Sequence, residues 1–314
     1  MRHKTQVIVN PESNRGRTRK RWGEIREGLR SFLREFKYEF TEKPLHATEI
    51  TRAAIKDGTD LVIGVGGDGT MNEIANGFFE NWRIINPDAA LGLVPSGTGC
   101  DLTKSLNIPP GLKRALKVIT EAPSVPMDVG RVRFRSNSGS EEERFFLNVA
   151  DFGLGGEVVR RVNERRLQRK ASSYVRCLVS TMVQYRNKRV AIRVDGTKLP
   201  EGEYLIGAVA NGRIFGKGMK VAPGARLDDG LFDSVLVRGF RFLEFCRHGW
   251  KLMNGSHVTH PKVSVVRGRR VEAWPEADDE VLLELDGEQL GRLPAVFEIV
   301  PRNLLIKGFL QPVR

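Results

Sequence analysis

A single acid, Asp68, lies inside a run of glycines where a predicted strand meets a predicted helix. Residues 61–65 are mostly apolar and predict a buried strand. Apolar residues then recur at helical spacing, at Met71, Ile74, Ala75 and Phe78. Glycines let a backbone approach an anion closely, and the free N–H groups at a helix start favour negative charge. The pattern predicts a phosphate site, and the acid within it indicates that Mg²⁺ accompanies the phosphate.

Two alternatives follow from the same glycines. They match the dinucleotide fingerprint G-x-G-x-x-G, which alone is a weak signal. The acid expected about 20 residues later in that motif could only be Asp88, which follows Asn86-Pro87 and does not end a strand. A tight strand-to-helix turn without any ligand also fits. The sequence has no GxxxxGK[ST] motif, which excludes a Walker loop.

A second loop repeats the arrangement. Residues 91–94 predict a short strand, and Pro-Ser-Gly-Thr-Gly-Cys-Asp follows at 95–101 before another predicted helix. Asp101 could serve only to place a negative charge at the helix start. Two such loops on consecutive strand-helix units would face each other at the carboxyl edge of one parallel sheet, where such sheets bind ligands.

The C-terminal half carries two further groups of acids. Asp228 and Asp229 come just before a predicted strand, where they fit either an ordinary surface turn or a hard-cation site. Glu288 follows Asp286-Gly287, a dipeptide that often forms a hairpin turn. A carboxylate there could also act as a general base, which transfer of a phosphoryl group to a hydroxyl requires.

Five motifs together resemble one family. VNPESNRG at 9–16, GGDGTMNE at 66–73 and PSGTGCD at 95–101 resemble the catalytic domain of the diacylglycerol-kinase-like lipid kinases, which include bacterial lipid kinases and the sphingosine and ceramide kinases. GKGMKVAPGARLDDGLFD at 216–233 and LDGE at 285–288 resemble its C-terminal motifs, in the family's order. The resemblance implies an ATP-dependent lipid kinase with Mg²⁺ as cofactor, which transfers the γ-phosphate to a hydroxyl of diacylglycerol or a similar lipid.

The resemblance also implies roles for individual residues. Asp68 and Glu288 are the implied catalytic residues, with Asp68 acting on the triphosphate through Mg²⁺ and Glu288 as the base. The implied ATP contacts are Asn10, Pro11, Glu12, Ser13, Asn14, Thr41, Gly66, Gly67, Asp68, Gly69, Thr70, Met71, Asn72 and Thr98. The implied ligands of a structural metal are the Arg226 carbonyl, the Asp229 carboxylate and the Leu231 carbonyl. The sequence departs from the family at Asn14, where Gly is usual and Asn tolerates the same backbone, and at Cys100, where Asn is common.

The order of predicted elements indicates an α/β protein of two domains. Residues 1–126 read as a nucleotide-binding domain with a doubly wound parallel sheet, including a helix over 17–36, and 303–314 are expected to return to it. A Pro-rich hinge is predicted at 122–126. Residues 127–302 read as an antiparallel β-sandwich that carries the lipid and metal sites, with strands over 144–150 and 262–271 and a helix near 155–184. By resemblance, the active site is expected in the cleft between the domains.

Composition limits the partners. The chain has 314 residues and a formal net charge of +13, which implies an anionic partner such as a nucleotide, an acidic membrane or nucleic acid. Three widely spaced cysteines form no disulfide framework or metal motif, and no apolar run is long enough to span a bilayer, so a cytoplasmic, peripherally membrane-associated protein is expected. A basic stretch could be a solvated face or could dock on anionic lipid; it comprises Arg160, Arg161, Arg165, Arg166, Arg169 and Lys170.

The expected partners are therefore ATP and a lipid substrate at an anionic membrane surface, with monomer and homodimer left open. A kinase acting on NAD shares GGDG but lacks the pairing of PSGTGCD with DDGLFD. A non-enzymatic nucleic-acid module is the alternative from another class. No nucleic acid is expected, because the basic runs lack interleaved aromatic residues and match no recognition motif.

Overall fold

A computed structural model describes residues 4–33, 35–164, 171–276 and 279–310. The chain divides into two compact units. The first comprises Met1–Val129, Leu227–Asp229 and Val300–Arg314, and the second comprises Gly130–Arg226 and Gly230–Ile299. Over the described residues, no helix combines the length and the apolar character needed to cross a bilayer.

The first unit alternates strands and helices. Its elements in chain order are β1 (Thr5–Val9), α1 (Ser13–Phe32), β2 (Lys37–Phe40), α2 (His46–Lys56), β3 (Leu61–Gly66), α3 (Asp68–Gly77), β4 (Phe79–Glu80), β5 (Arg83–Ile84), β6 (Ala90–Pro95), α4 (Asp101–Ser105) and α5 (Leu112–Glu121). Strand β7 (Ser124–Ser136) follows directly and includes most of the hinge predicted over 122–126, whose role between the domains stays a prediction. Ala122 and Val125, the residues before Pro123 and Pro126, are both extended. A proline favours this conformation in the residue that precedes it.

The first unit has the predicted doubly wound parallel sheet. Its order is β2–β1–β3–β6, every pairing is parallel, and Leu305 of the last strand, β17 (Glu288–Lys307), pairs in parallel with Ala90. Helices α1 and α5 cover one face, where Leu29 and Leu116 join the strand side chains in one apolar core. On the other face, α3 packs so closely that a Cβ on Gly64 would lie 2.6 Å from Met71 Sδ. The carboxyl ends of β1, β3 and β6 therefore share one edge.

Helix α1 differs from its prediction at both ends. It begins at Ser13 and includes Asn14, Arg15 and Gly16 with left-handed backbone, at φ of 51°, 61° and 72°. The predicted tolerance of Asn14 for this conformation is confirmed. The helix ends at Phe32 rather than at residue 36. Leu33 and Phe36 still pack against the core from extended chain, which explains why their spacing looked helical.

The second unit is mainly antiparallel, as predicted. Its elements in chain order, after most of β7, are β8 (Glu141–Phe146), β9 (Val149–Gly153), α6 (Leu154–Glu164), α7 (Ala171–Gln184), β10 (Lys188–Val194), β11 (Thr197–Lys198), β12 (Glu203–Ala210), β13 (Phe232–Arg238), α8 (Phe242–His248), α9 (Lys251–Asn254), a 3₁₀ turn (Ser256–Thr259), β14 (Val263–Gly268), β15 (Arg270–Pro275), β16 (Leu282–Leu285) and the first part of β17. Part of the helix predicted near 155–184, residues 165–170, lies outside the described residues.

Antiparallel pairing in this unit closes on itself. It runs through β9, β16, β17, β15, β10 and β12 and returns to β9, while β13 and β14 extend from β12. Large apolar side chains fill the interior. Phe146 stacks on Phe232 with ring centroids 5.6 Å apart, and its ring meets Phe297 edge to face at 6.4 Å.

Two strands predicted as continuous are interrupted where backbone N–H groups bond to carboxylates distant in sequence. The prediction over 144–150 fails because Leu147, Asn148 and Val149 donate their N–H groups to the Asp286 carboxylate, so β8 ends at Phe146 and β9 starts at Val149. The prediction over 262–271 fails at Arg269, whose N–H bonds to the Asp195 carboxylate between β14 and β15. In both places an acid distant in sequence takes hydrogen bonds that a ladder would otherwise make.

Candidate active site

The two glycine loops of the first unit touch each other. Ser96 donates its N–H to the Gly66 carbonyl over 2.8 Å. The Cα of Gly67 is so close to Gly97 that a Cβ added to Gly97 would lie 2.5 Å from it. Only a residue without a side chain fits there. The predicted juxtaposition of the loops that follow β3 and β6 is thus present at the carboxyl edge of the sheet.

Asp68 is the first residue of α3 and is half-buried. Its Oδ1 accepts the N–H of Leu102 over 3.2 Å, so the acid of the first loop also caps the start of α4 in the second. Asp101, by contrast, is 5% exposed and forms an ion pair with Lys104 at 2.6 Å. Asp68 is therefore more accessible to solvent than Asp101.

Asn10, at the end of β1, organises the third loop of the site. Its Oδ1 accepts the N–H groups of Glu12 and Ser13 over 3.0 and 3.1 Å, and its Nδ2 donates to the Thr70 hydroxyl over 2.9 Å. One amide thus shapes its own turn and ties it to α3. Asn is suited to this because its side chain offers both an acceptor and donors.

A chain of hydroxyl groups joins the same turn to the second loop. Ser13 Oγ and Thr18 Oγ1 share a hydrogen bond of 2.5 Å, and Thr18 Oγ1 shares another of 2.5 Å with Ser96 Oγ. Thr18 is completely buried and Ser96 nearly so. The sequence analysis did not predict this role for Thr18 or Ser96. The only sequence signal for Thr18 was its position as a hydroxyl residue among the arginines that begin α1.

Cys100 replaces the family's usual Asn with a buried thiol. Its backbone is left-handed at φ 50°, and its Sγ accepts the Gly97 N–H over 3.3 Å while the thiol points to the Gly66 carbonyl at 3.9 Å. Burial, reinforced by the negative charge of Asp68, raises the pKa of the Cys100 thiol to about 12. The thiol is therefore neutral near pH 7 and does not offer a thiolate to a metal.

The predicted ATP contacts lie together at the end of the parallel strands, with differences in side-chain access. Residues 10–14 follow β1, residues 66–72 span the end of β3 and the start of α3, and Thr98 is exposed in the second loop. Thr41 follows β2 and donates its N–H to the Val9 carbonyl over 2.9 Å. Met71 and Asn72 are buried at 3% and 6% exposure, so a nucleotide would reach their backbone rather than their side chains.

Glu288, in the second unit, begins β17 directly after a tight turn. Asp286 and Gly287 both have positive φ, 48° and 93°, which matches a two-residue hairpin turn. The Asp286 carboxylate, 8% exposed, accepts N–H groups from Leu147, Asn148 and Val149 over 2.8 to 3.1 Å. This anchors the turn and leaves Glu288 half-buried beside it. The sequence identified Glu288 but gave no sign of the anchoring role of Asp286.

A largely apolar cavity of about 90 Å³, partly open to solvent, lies within the second unit. Its walls come from α6, α7, β12, β13 and the α8–α9 region, and include Leu154, Val158, Leu178, Leu205, Phe240 and Phe245. His257 lies in the wall, where burial lowers its pKa and its Nε2 bonds to the Val221 carbonyl at 2.9 Å. The cavity was not predicted, because its lining comes from segments distant in sequence.

The predicted metal loop is tethered by backbone contacts. Asp128 donates its N–H to the Leu227 carbonyl over 2.7 Å, and its carboxylate accepts the N–H of Arg302 over 2.7 Å. Arg226, Asp229 and Leu231 are all half-buried in this loop, and their assignment as ligands stays a prediction. Within the described ranges no three His, Cys, Asp or Glu side chains group as a metal cluster, whereas the predicted ligand set has only one carboxylate.

The basic stretch predicted over 160–170 is only partly described. Arg160 and Arg161 both pair with Glu157 at 2.7 Å, so one carboxylate of α6 offsets part of their charge. Arg165, Arg166, Arg169 and Lys170 lie outside the described residues. The hypothesis of lipid docking at this stretch thus gains no support from its first two arginines.

Comparison with known families finds a match for each half of the chain. Residues 4–132 match the diacylglycerol kinase catalytic domain, and residues 148–307, slightly more than half of the chain, match the YegS C-terminal NAD kinase beta sandwich-like domain. The chain belongs to the diacylglycerol-kinase-like lipid kinase family. The kinase transfers phosphate to a hydroxyl acceptor, and its two matched domains have the α/β and β-rich folds predicted for its two halves.

Individual relatives extend over nearly the whole kinase. It is 28% identical over 302 residues to the diacylglycerol kinase of Staphylococcus carnosus (strain TM300), covering 95% of this chain and 92% of that relative. It is 27% identical over 310 residues to the diacylglycerol kinase of Bacillus subtilis (strain 168), covering 96% and 95%. A crystal structure of a diacylglycerol kinase from Bacillus anthracis str. Sterne has the same fold, with a TM-score of 0.72, 23% identity and coverage of 98% and 97%.

Proposed function

We propose that this kinase transfers the γ-phosphate of ATP to the hydroxyl of diacylglycerol or a closely similar lipid alcohol. The observation that carries the proposal is the apolar cavity of the second unit, whose walls are mainly leucine, valine and phenylalanine side chains. An acceptor with hydrocarbon chains is stabilised by such walls, at roughly 25 cal/mol per Å² of apolar surface removed from water. A nucleotide acceptor would instead require polar partners for its base, ribose and phosphates.

ATP would bind at the three loops that follow β1, β3 and β6. The glycines at 66, 67 and 69 permit close approach of the backbone to the phosphates, and the start of α3 directs its N–H groups toward them. Asn10 fixes the first loop against α3, and Cys100 holds the second loop to the first through the Gly97 N–H. The phosphates would thus bind to a surface whose shape is set before binding. Such preorganised positioning and electrostatic stabilisation supply most of the catalysis of phosphoryl transfer.

Mg²⁺ is the proposed cofactor, since oxygen donors are the ligands it prefers. Asp68 is half-buried at the glycine loop and would hold the ion near the triphosphate, while Arg226, Asp229 and Leu231 would hold a structural ion through one carboxylate and two carbonyls. When bound, the ion neutralises charge on the triphosphate. The neutral Cys100 thiol leaves the donor set at the glycine loops purely oxygen, which fits a hard cation.

Glu288 is the proposed base. Its carboxylate would accept the proton of the lipid hydroxyl as that oxygen attacks the γ-phosphate in line. The turn that carries it is anchored by three N–H groups on Asp286, so the base is positioned by backbone rather than by a flexible loop. A well-positioned carboxylate is what proton abstraction from an alcohol requires.

The partner proposed for the second unit is an anionic membrane surface, where the lipid acceptor resides. Leu243, Trp250 and Met253 of the α8–α9 region are 79%, 61% and 58% exposed, although they are apolar. Arg247 and Lys251 accompany them, and Lys251 also lines the cavity. Exposed Trp and Leu beside Lys and Arg is the composition of an interfacial membrane contact. The kinase would therefore associate peripherally with the bilayer from which it takes its acceptor.

Transfer of label from γ-labelled ATP to a panel of acceptors tests the proposed function. The panel holds diacylglycerol, a sphingoid base, ceramide and a polyprenol in mixed micelles, with NAD and glycerol as soluble acceptors. We expect Mg²⁺-dependent labelling of diacylglycerol and none of NAD. Labelling of NAD, or ATP that fails to raise the melting temperature in the presence of Mg²⁺, would contradict the proposal. Affinity for nucleic acid that falls steeply with salt would favour the non-enzymatic alternative.

A further inference from the structure

Two buried carboxyl groups face each other beneath the turn that carries Glu288. Asp151 on β9 and Glu284 on β16 are direct cross-strand partners in an antiparallel pair. Their side chains therefore lie on the same face of the sheet, at the short separation typical of opposed residues. Asp151 is completely buried and Glu284 is 5% exposed. Carboxyl groups are rarely placed this way without a specific arrangement that compensates for burial.

Among the described residues, no cation is one of the groups that shift the pKa values of the pair. Around it lie Asp286 from the β16–β17 turn, Glu157 from α6, which Arg160 and Arg161 already pair, and the Tyr185 hydroxyl. Neither oxygen of Asp151 makes a well-formed hydrogen bond within the described part of the chain, although the Glu284 carboxyl and the Gly156 N–H are close enough to lower its pKa somewhat. The neighbourhood is thus acidic and buried.

Burial dominates the protonation of both groups. It raises the pKa of Asp151 to about 8, and it raises the pKa of Glu284 well above its usual range, with the charges of Asp151 and Asp286 adding to the effect. Asp286 itself accepts three backbone N–H groups. Two opposed carboxyl groups in such a site cannot both ionise without large repulsion.

The pair is coupled to both parts of the proposed acceptor site. Glu284 accepts the N–H of Gly287, the residue before Glu288, over 3.4 Å. The Asp151 carboxyl packs on Gly155, where an added Cβ would lie 2.0 Å from Oδ1, and Gly155 lines the apolar cavity. A change in the charge of the pair would therefore act on the turn that carries the base and on the cavity wall.

We propose that Asp151 and Glu284 share one proton and that this O–H···O contact is the positioning device that keeps the Asp286–Gly287 turn, and with it Glu288, in its productive place. The inference rests on the proposed role of Glu288 as base. It assigns neither carboxyl a contact with substrate, so both are positioning residues. Loss of the shared proton places two negative charges side by side and displaces the turn.

The pH dependence has a defined direction. Burial opposes ionisation of the folded pair, which therefore loses its proton at a raised pH, whereas in the unfolded chain both groups ionise near pH 4. The folded state therefore binds more protons between these values, and its stability falls as the pH rises through this window. Replacement of one carboxyl by an amide keeps a donor for the remaining carboxylate and removes the shared proton.

Three measurements on the full chain test the inference. We compare wild type with Glu284→Gln, Asp151→Asn and Glu284→Ala, and use Glu280→Gln, on the exposed chain before β16, as the matched control. We expect wild type to show the infrared C=O band of a buried carboxylic acid at pH 7, which either amide variant loses. We expect the melting temperature of wild type to fall between pH 6 and 9 more than that of the amide variants.

The third readout is kinetic. Glu284→Ala should lower kcat about tenfold or more through misplacement of the base, with KM for ATP unaltered, while Glu284→Gln should recover most of that loss and flatten the alkaline fall of kcat. Glu280→Gln should keep the wild-type pH profile. Absence of the carboxylic acid band in wild type, or an alkaline profile that both amide variants leave intact, would overturn the inference. If no lipid is phosphorylated by wild type, the proposed function fails, while the infrared band and the stability slope still decide the state of the pair.

Discussion

Asn10 donates a side-chain N–H to the Thr70 hydroxyl over 2.9 Å, and this contact joins the turn after β1 to the first turn of α3. The same side chain accepts two N–H groups of its own turn. We expect Asn10→Ala to raise KM for ATP with little change in kcat for saturating ATP, and to lower the free energy of unfolding by about 1–3 kcal/mol because partly buried partners lose their bonds. ATP titrations and urea unfolding measure both. Asn86→Ala, in a turn of the same unit, is the control and should leave KM for ATP unchanged.

The contact between the two glycine loops predicts a sharp steric effect. Gly97→Ala would place a Cβ 2.5 Å from Gly67 Cα and 3.1 Å from Cys100 Sγ, so the loops must separate. We expect a loss of about 1–3 kcal/mol in stability and weaker ATP binding. Gly23→Ala is the matched control, because no atom lies within 4 Å of the added Cβ and its backbone is helical. That change should be neutral or stabilising by up to about 1 kcal/mol. Equal behaviour of the two variants would contradict the loop contact.

Thiol reactivity should separate the three cysteines. Burial and the charge of Asp68 raise the pKa of Cys100 to about 12, so its thiolate is scarce at every pH below that value. Cys177 is also buried and Cys246 is exposed. Mass spectrometry after brief alkylation of the native kinase at pH 8 should find label on Cys246 and none on Cys100, whereas alkylation in urea should label all three. Rapid native labelling of Cys100 would show that its loop opens.

Removal of the proposed base should affect chemistry and spare nucleotide binding. Glu288→Gln keeps the size of the side chain and its turn, and we expect kcat to fall by about 10²–10⁴-fold. The ATP-induced rise in melting temperature should match that of wild type, since the predicted ATP contacts belong to the first unit. Glu276→Gln, another acid of the second unit, should retain full turnover. Wild-type turnover of Glu288→Gln would remove this residue from the mechanism.

The exposed α8–α9 region predicts how the kinase meets a bilayer. Arg247→Gln with Lys251→Gln should weaken binding to anionic vesicles by about 2 kcal/mol, or roughly 30-fold, because each basic residue near the surface contributes about 1 kcal/mol. Leu243→Ser with Trp250→Ser should weaken binding to neutral and anionic vesicles alike, through lost apolar insertion. Lys198→Gln, elsewhere in the second unit, is the control. Sedimentation with vesicles of both compositions measures the effect, and an unchanged affinity in both double variants would exclude this surface.

Local sequence was sufficient for the loops of the first unit. A strand, a glycine turn and a helix are encoded within about twenty residues, so the positions of Asp68 and the glycines could be read directly. The left-handed backbone at Asn14 could be predicted from residue type alone, because Asn tolerates that conformation, and it is present in the structure. Errors arose where distant groups intervene: Leu33 and Phe36 pack from extended chain instead of helix, and Asp286 ends β8 by taking the N–H groups that follow it.

By itself, the sequence determined the α/β and β-rich halves, the order of the motifs and the identity of the acids at both turns, because these depend on residue type and short spacing. Only the tertiary structure decided which groups meet. Thr18 bonds to Ser96 across 78 positions, Asp151 opposes Glu284 across two strands, and the apolar cavity is lined from α6, α7, β12, β13, α8 and α9 among others. Such pairings depend on strand register and packing between segments remote in the chain, and no local pattern of residues encodes them.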